Sequence, residues 1–186
     1  EEGIAQIRQG LAAYRDTGAQ SGRSLVLGLL AETYKNTARP EEGLTVVTEA
    51  LTLVQNTGQR SQESWLWRIK GELLLNAERM ANGEEARPKR NDELKTSSVH
   101  RSSFRIHRSA EAEAEACFHK ALDIARRQNA KSLELRAAVS LGRLWRQQGK
   151  KGEARRLLAE IYGWFTEGFD TPHLQDARAL LQELGD

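Results

Sequence analysis

Residues 41–58, EEGLTVVTEALTLVQNTG, set a pattern that the rest of the chain repeats. Residues 1–18, EEGIAQIRQGLAAYRDTG, carry the same pattern 40 positions earlier, from Glu-Glu-Gly at the start to Thr-Gly at the end. The segments 113–122, EAEACFHKAL, and 153–162, EARRLLAEIY, follow the same order of acidic, small and apolar residues. Self-similarity at a period of this size is the signature of a repeat architecture.

Small and apolar residues at fixed positions set the register of the repeat. In one half of the unit, a small residue recurs at Gly3, Gly43, Ala114 and Ala154. In the other half, a small residue recurs at Ala31, Gly71 and Gly142. Successive copies are 40 residues apart, except that 31 additional residues separate the second copy from the third. A glycine inside a helix costs about 1 kcal/mol relative to alanine. We therefore expect Gly43, Gly71 and Gly142 to lie where two helices cross closely.

Each half-unit has the apolar spacing of an amphipathic helix, as at Ile4, Ile7, Leu11 and Tyr14. Turn residues such as Thr17-Gly18 and Thr171-Pro172 separate these segments. The predicted helices cover residues 1–16, 22–37, 40–56, 62–77, 110–128, 132–148, 151–166 and 171–184. We predict an all-α, alpha-alpha superhelix of about four 40-residue helix-turn-helix units in a single domain, 1–186. Its parts are a half repeat at 1–18, units at 22–57, 62–128 and 132–166, and a capping helix at 171–184.

The additional residues form a basic insertion, 79–109, RMANGEEARPKRNDELKTSSVHRSSFRIHRS. It carries eight Lys or Arg against four Asp or Glu and has little apolar patterning, so we predict that it is disordered. Its cations could contact nucleic-acid phosphates, which gives an alternative function to the one developed below. His100 and His107 lie in it, and they are read as solvated residues of a loop in preference to metal ligands.

Composition excludes several classes of function. The net charge of +2 is too small to indicate nucleic-acid binding over the whole surface, and no apolar run approaches a membrane span. The single Cys117 precludes an internal disulfide and fits the cytoplasm. No phosphate-binding loop, dinucleotide fingerprint, HExxH or paired CxxC motif occurs, so we expect no enzyme activity, cofactor or metal. Because the chain opens inside a repeat, it is interpreted as part of a longer protein.

The register resembles the tetratricopeptide repeat. Leu141-Gly142 followed by Trp145 matches its first helix, and Ala154, Leu158 and Ile161 match its second. One unit earlier, the second helix is matched by Phe118 and Ala121-Leu122. The period of 40 exceeds the usual 34 or so. Lys70, Gly10 and Ile161 depart from the pattern.

Residues 113–150 and 152–184 further resemble the C-terminal repeat tails of large bacterial signalling proteins, in which a cyclase, kinase or DNA-binding module is coupled to an ATPase. This resemblance implies a regulatory or sensing tail.

In a repeat superhelix, the first helices of successive units line a concave face. Residues on that face that do not pack against neighbouring helices are free to bind a partner, and the groove becomes more basic toward the C-terminus. We expect it to bind a protein or peptide, either an acidic segment or a neighbouring domain of the same chain; a stand-alone adaptor is an alternative. The predicted groove residues are Glu32, Lys35, Asn36, Arg68, Glu72, Asn76, Arg136, Arg143 and Arg146.

A second candidate surface is aromatic. Tyr162, Trp164, Phe165 and Phe169 precede the last predicted helix. We expect them to pack beneath that helix, with an exposed patch for self-association as the alternative.

Overall fold

A computed structural model describes residues 2–16, 22–83 and 100–185, with side chains from residue 109 onward in the last range. These residues form eight α-helices, a short 3-10 turn at Arg60–Gln62 and no β-strand, which confirms the all-α class. None of the described helices is long and apolar enough to cross a bilayer. The helices are α1 Glu2–Asp16, α2 Arg23–Asn36, α3 Pro40–Thr57, α4 Glu63–Ala81, α5 His100–Arg127, α6 Lys131–Gln147, α7 Lys151–Tyr162 and α8 Pro172–Glu183.

Two helices are longer than the sequence pattern indicated. Helix α4 continues to Ala81, and α5 begins at His100 instead of near residue 110. The prediction of a disordered insertion over 79–109 is therefore wrong at both ends, and residues 84–99 lie outside the described part. No glycine or proline occurs between Pro88 and Gly142. Once the packed part of α5 has formed, each further residue adds a backbone hydrogen bond without a new nucleation step.

The helices pack mainly against their neighbours in sequence, with one further set of contacts. Helices α2, α4, α6 and α8 also contact one another in order, whereas α3, α5 and α7 make their main contacts with adjacent helices. The even-numbered helices therefore form a row, side by side. Residues that project from this row away from the odd-numbered helices can share one surface.

Buried apolar side chains fill the space between the helices. One cluster, around Phe118, Leu141 and Leu158, lies between α5, α6, α7 and α8. A second cluster, around Val47 and Leu66, lies between α2, α3 and α4. Aromatic side chains also pack in the layers between the helices. Tyr34 and Trp65 are buried, while Trp67 and Trp145 are half-buried against these clusters.

The predicted close crossings are present at three glycines. A Cβ atom built on Gly71 would lie 2.5 Å from the Phe118 ring of α5, and one on Gly43 would lie 2.5 Å from Leu73 of α4. At Gly142 the nearest atom belongs to Leu180 of α8, at 3.3 Å. Gly10 of α1, which lies at the repeat position of Ala50 and Ala121, has no atom within 4 Å of its built Cβ.

This contrast predicts opposite effects for one substitution. Gly71→Ala is expected to lower the free energy of unfolding by about 1–2 kcal/mol, because overpacking against the buried Phe118 ring outweighs the gain in helix propensity. Gly10→Ala lacks the clash and is expected to raise it by up to about 1 kcal/mol. Urea unfolding of both variants measures the difference. Stabilisation by both substitutions would contradict the close crossing at Gly71.

Candidate functional site

A groove of about 570 Å³ runs along the row of even-numbered helices. Four helices, α2, α4, α6 and α8, supply nearly all its walls, and Phe118 of α5 reaches it from the second layer. Six Lys or Arg side chains and three carboxylates line it. Eight of the nine residues predicted for the groove lie there: Glu32, Lys35, Arg68, Glu72, Asn76, Arg136, Arg143 and Arg146.

The ninth predicted residue, Asn36, is exposed at the end of α2 and does not line the groove. Five polar lining residues were not predicted from the sequence: Arg79, Ser140, Gln147, His173 and Asp176. Asp176 lies one 40-residue period after Arg136, so the repeat register could have indicated it. Arg79 was missed because α4 was expected to end before it.

Arg68 is the centre of an ionic network at the floor of the groove. Its side chain is only 8% exposed, and its two terminal nitrogens contact Glu72 Oε1 at 2.5 Å and Glu32 Oε1 at 3.3 Å. Lys35 Nζ lies 2.8 Å from the other Glu72 oxygen, and the Ser140 hydroxyl donates to Glu72 over 2.7 Å. The network therefore connects α2, α4 and α6.

These contacts correct one expectation. Lys35, Arg68 and Glu72 are not free for a partner, since they bind one another across neighbouring helices. Burial raises the pKa of Glu72, but Arg68, Lys35 and the Ser140 hydrogen bond outweigh it and hold that pKa below its ordinary value. Glu72 is therefore ionised at neutral pH, and the floor is a fixed, internally compensated part of the fold.

Two further groups that line the groove have pKa values shifted by the charges of the network. Burial, followed by the charge of Arg68, lowers the pKa of Arg136, whose guanidinium lies 3.7 Å from Glu32. Burial and the charges of Arg136 and Arg68 also lower the pKa of His173. His173 is therefore neutral at physiological pH and adds no charge to the groove.

The outer part of the groove is different, because its ion pairs are exposed to solvent. Arg143 pairs with Asp176, and Arg146 pairs with Glu183, so both contacts join α6 to α8. The side chains of Arg143 and Arg146 are 51% and 36% exposed. Exposed pairs of this kind contribute about 0–1 kcal/mol. These guanidinium groups can exchange their carboxylates for those of a ligand at small cost.

The aromatic residues before α8 only partly follow the prediction. Tyr162 and Phe165 pack against the core, but Trp164 and Phe169 are 59% and 43% exposed. Helix α7 ends at Tyr162 instead of near residue 166. The following residues therefore leave the helical register that would have turned these side chains inward.

The sulfur and imidazole groups of α5 do not converge. Cys117 is buried and burial raises its pKa to about 11. His119 is exposed, and its ring is tilted against that of Trp145, with 5.7 Å between the ring centroids. Within the described residues, no group of three or more His, Cys, Asp or Glu is placed to hold a metal ion. The side chains of His100 and His107 lie outside the described part.

No protein-family model matches the chain, and a search of curated proteins found no significant match.

Proposed function

We propose that the chain is a tetratricopeptide-like scaffold whose groove binds an acidic segment of another protein. It acts in the cytoplasm as the regulatory tail of a larger bacterial signalling protein, so the segment could also belong to a neighbouring domain of that protein. It has no catalytic activity of its own. The observation that carries the proposal is the excess of cations, six against three carboxylates, around one groove built from successive helices.

The division of the groove into a fixed floor and an exposed outer part supports this function. The network around buried Arg68 joins α2, α4 and, through Ser140, α6, and keeps the groove in one shape. Arg143 and Arg146 then present planar guanidinium groups that match carboxylates in two-point contacts. Leu75, which is half-buried in the wall of the groove, adds an apolar contact for the rest of the segment. A preorganised wall of this kind lowers the entropic cost of binding.

The test is binding of a fluorescein-labelled hexaglutamate peptide, followed by anisotropy at low and at physiological salt. Arg143→Glu combined with Arg146→Glu is expected to weaken binding on the order of tenfold or more, because two attractive contacts become repulsive. Raising the salt concentration is expected to weaken binding to the unchanged protein.

The matched control is Arg155→Glu combined with Arg156→Glu. These two arginines are exposed on α7, away from the groove, and their reversal changes the net charge by the same amount. Equal losses of affinity in the two double variants would show that the peptide responds to overall charge, and the groove would then not be its binding site.

A further inference from the structure

We propose that Asp176 and Glu183 of α8 are internal competitors for the ligand of the groove. They occupy Arg143 and Arg146 in the free protein, and an acidic segment binds by displacing them from these guanidinium groups. This inference rests on the proposed function and adds to it the step that limits affinity. It also defines the ligand, which must present at least two carboxylates to replace both internal ones.

The displaced contacts must be the outer pairs, because the inner ones cannot be exchanged without exposing buried charge. The side chains of Asp176 and Glu183 are 42% and 55% exposed, whereas the Arg68 side chain is 8% exposed and has two carboxylate partners. An exposed carboxylate that leaves its partner is solvated by water at once. Removing a partner from a buried pair leaves a charge without compensation.

Helix α8 does not have to move when its carboxylates are displaced. Its other face is anchored by buried apolar side chains, and Leu180 packs against Gly142 of α6. The anchoring residues are Leu174, Ala177, Leu180 and Leu184. Only the two acidic side chains have to rotate, so the exchange leaves the walls of the groove in place.

The test compares the hexaglutamate affinity of the unchanged protein with that of Asp176→Asn combined with Glu183→Gln. These substitutions keep the size of each side chain and remove its negative charge, so Arg143 and Arg146 no longer have an internal anion. Affinity is expected to rise about threefold to tenfold. Urea unfolding checks that both proteins are folded to the same extent.

Asp123→Asn combined with Glu160→Gln is the control, since both carboxylates are exposed outside the groove. It changes the net charge equally, and affinity is expected to rise about twofold at most.

If the peptide binds the unchanged protein but the α8 variant gains no more than this control, internal competition is refuted and the groove proposal stands. If neither the unchanged protein nor the α8 variant binds hexaglutamate, the groove proposal fails, and the competition fails with it.

Discussion

Phe118→Ala is expected to lower the free energy of unfolding by about 3–5 kcal/mol, as for other fully buried aromatic side chains. The Phe118 ring is completely buried in the larger apolar cluster and lies directly over Gly71 of α4. Its removal leaves a cavity between α4 and α5 that the glycine, with no side chain, cannot fill. Urea unfolding monitored by circular dichroism measures the loss.

Two comparisons make this prediction specific. Phe169→Ala removes the same ring from a position that is 43% exposed, and we expect it to cost about 1 kcal/mol or less. In the Phe118→Ala background, Gly71→Ala should change from destabilising to stabilising, because the added methyl group enters the cavity. A Gly71→Ala effect that is the same in both backgrounds would show that the two residues are not in contact.

Arg68→Met is expected to cost about 3 kcal/mol, because it removes the common partner of two carboxylates at the floor of the groove. Methionine keeps part of the apolar volume of the arginine stem, so the loss reports mainly on charge. Lys35 still contacts Glu72 at 2.8 Å in this variant, which keeps the cost at the lower end of the range for buried pairs. Urea unfolding at about pH 7 measures it.

The pH dependence of this loss separates charge from packing. In the unchanged protein the pKa of Glu72 lies below its ordinary 4.5, so ionised Glu72 contributes stability above that pH and loses it as the pH falls further. The difference between Arg68→Met and the unchanged protein should therefore shrink in acid. Arg60→Met, whose pair with Glu63 spans 4.0 Å and whose side chain is 71% exposed, should change stability by about 0.5 kcal/mol or less. A loss for Arg68→Met that does not change with pH would contradict the ionic role.

The sequence was sufficient to predict features that depend on spacing along one helix. Apolar spacing and turn residues indicated the helices, and the cost of a mid-helix glycine indicated the crossings at Gly43, Gly71 and Gly142. The repeat register also placed eight predicted polar residues on the surface that forms the groove. All of these depend on the 3.6-residue periodicity of a helix, which is local information.

The pairing of polar side chains between helices could not be predicted in this way. Spacing assigns Arg68, Glu72 and Ser140 to helix faces, but which of them pair depends on the distance between the helix axes. The acidic residues of α8 were missed because that helix was interpreted only as a cap. The start of α5 was misplaced because polar composition was taken to indicate disorder, although helix propagation from a packed segment needs no further apolar residues.

The long connection between α4 and α5 affects where the chain can accept inserted residues. Eighteen residues connect these two helices, against at most nine between any other consecutive pair. The helices nevertheless pack directly, as shown by the hydrogen bond from the Ser64 hydroxyl to the Ala121 carbonyl at 2.9 Å. Each doubling of the number of residues in a connection costs only about 0.6 kcal/mol in closure entropy. This junction is therefore the place where further residues, or even a whole inserted domain, could be accommodated with the least loss of stability.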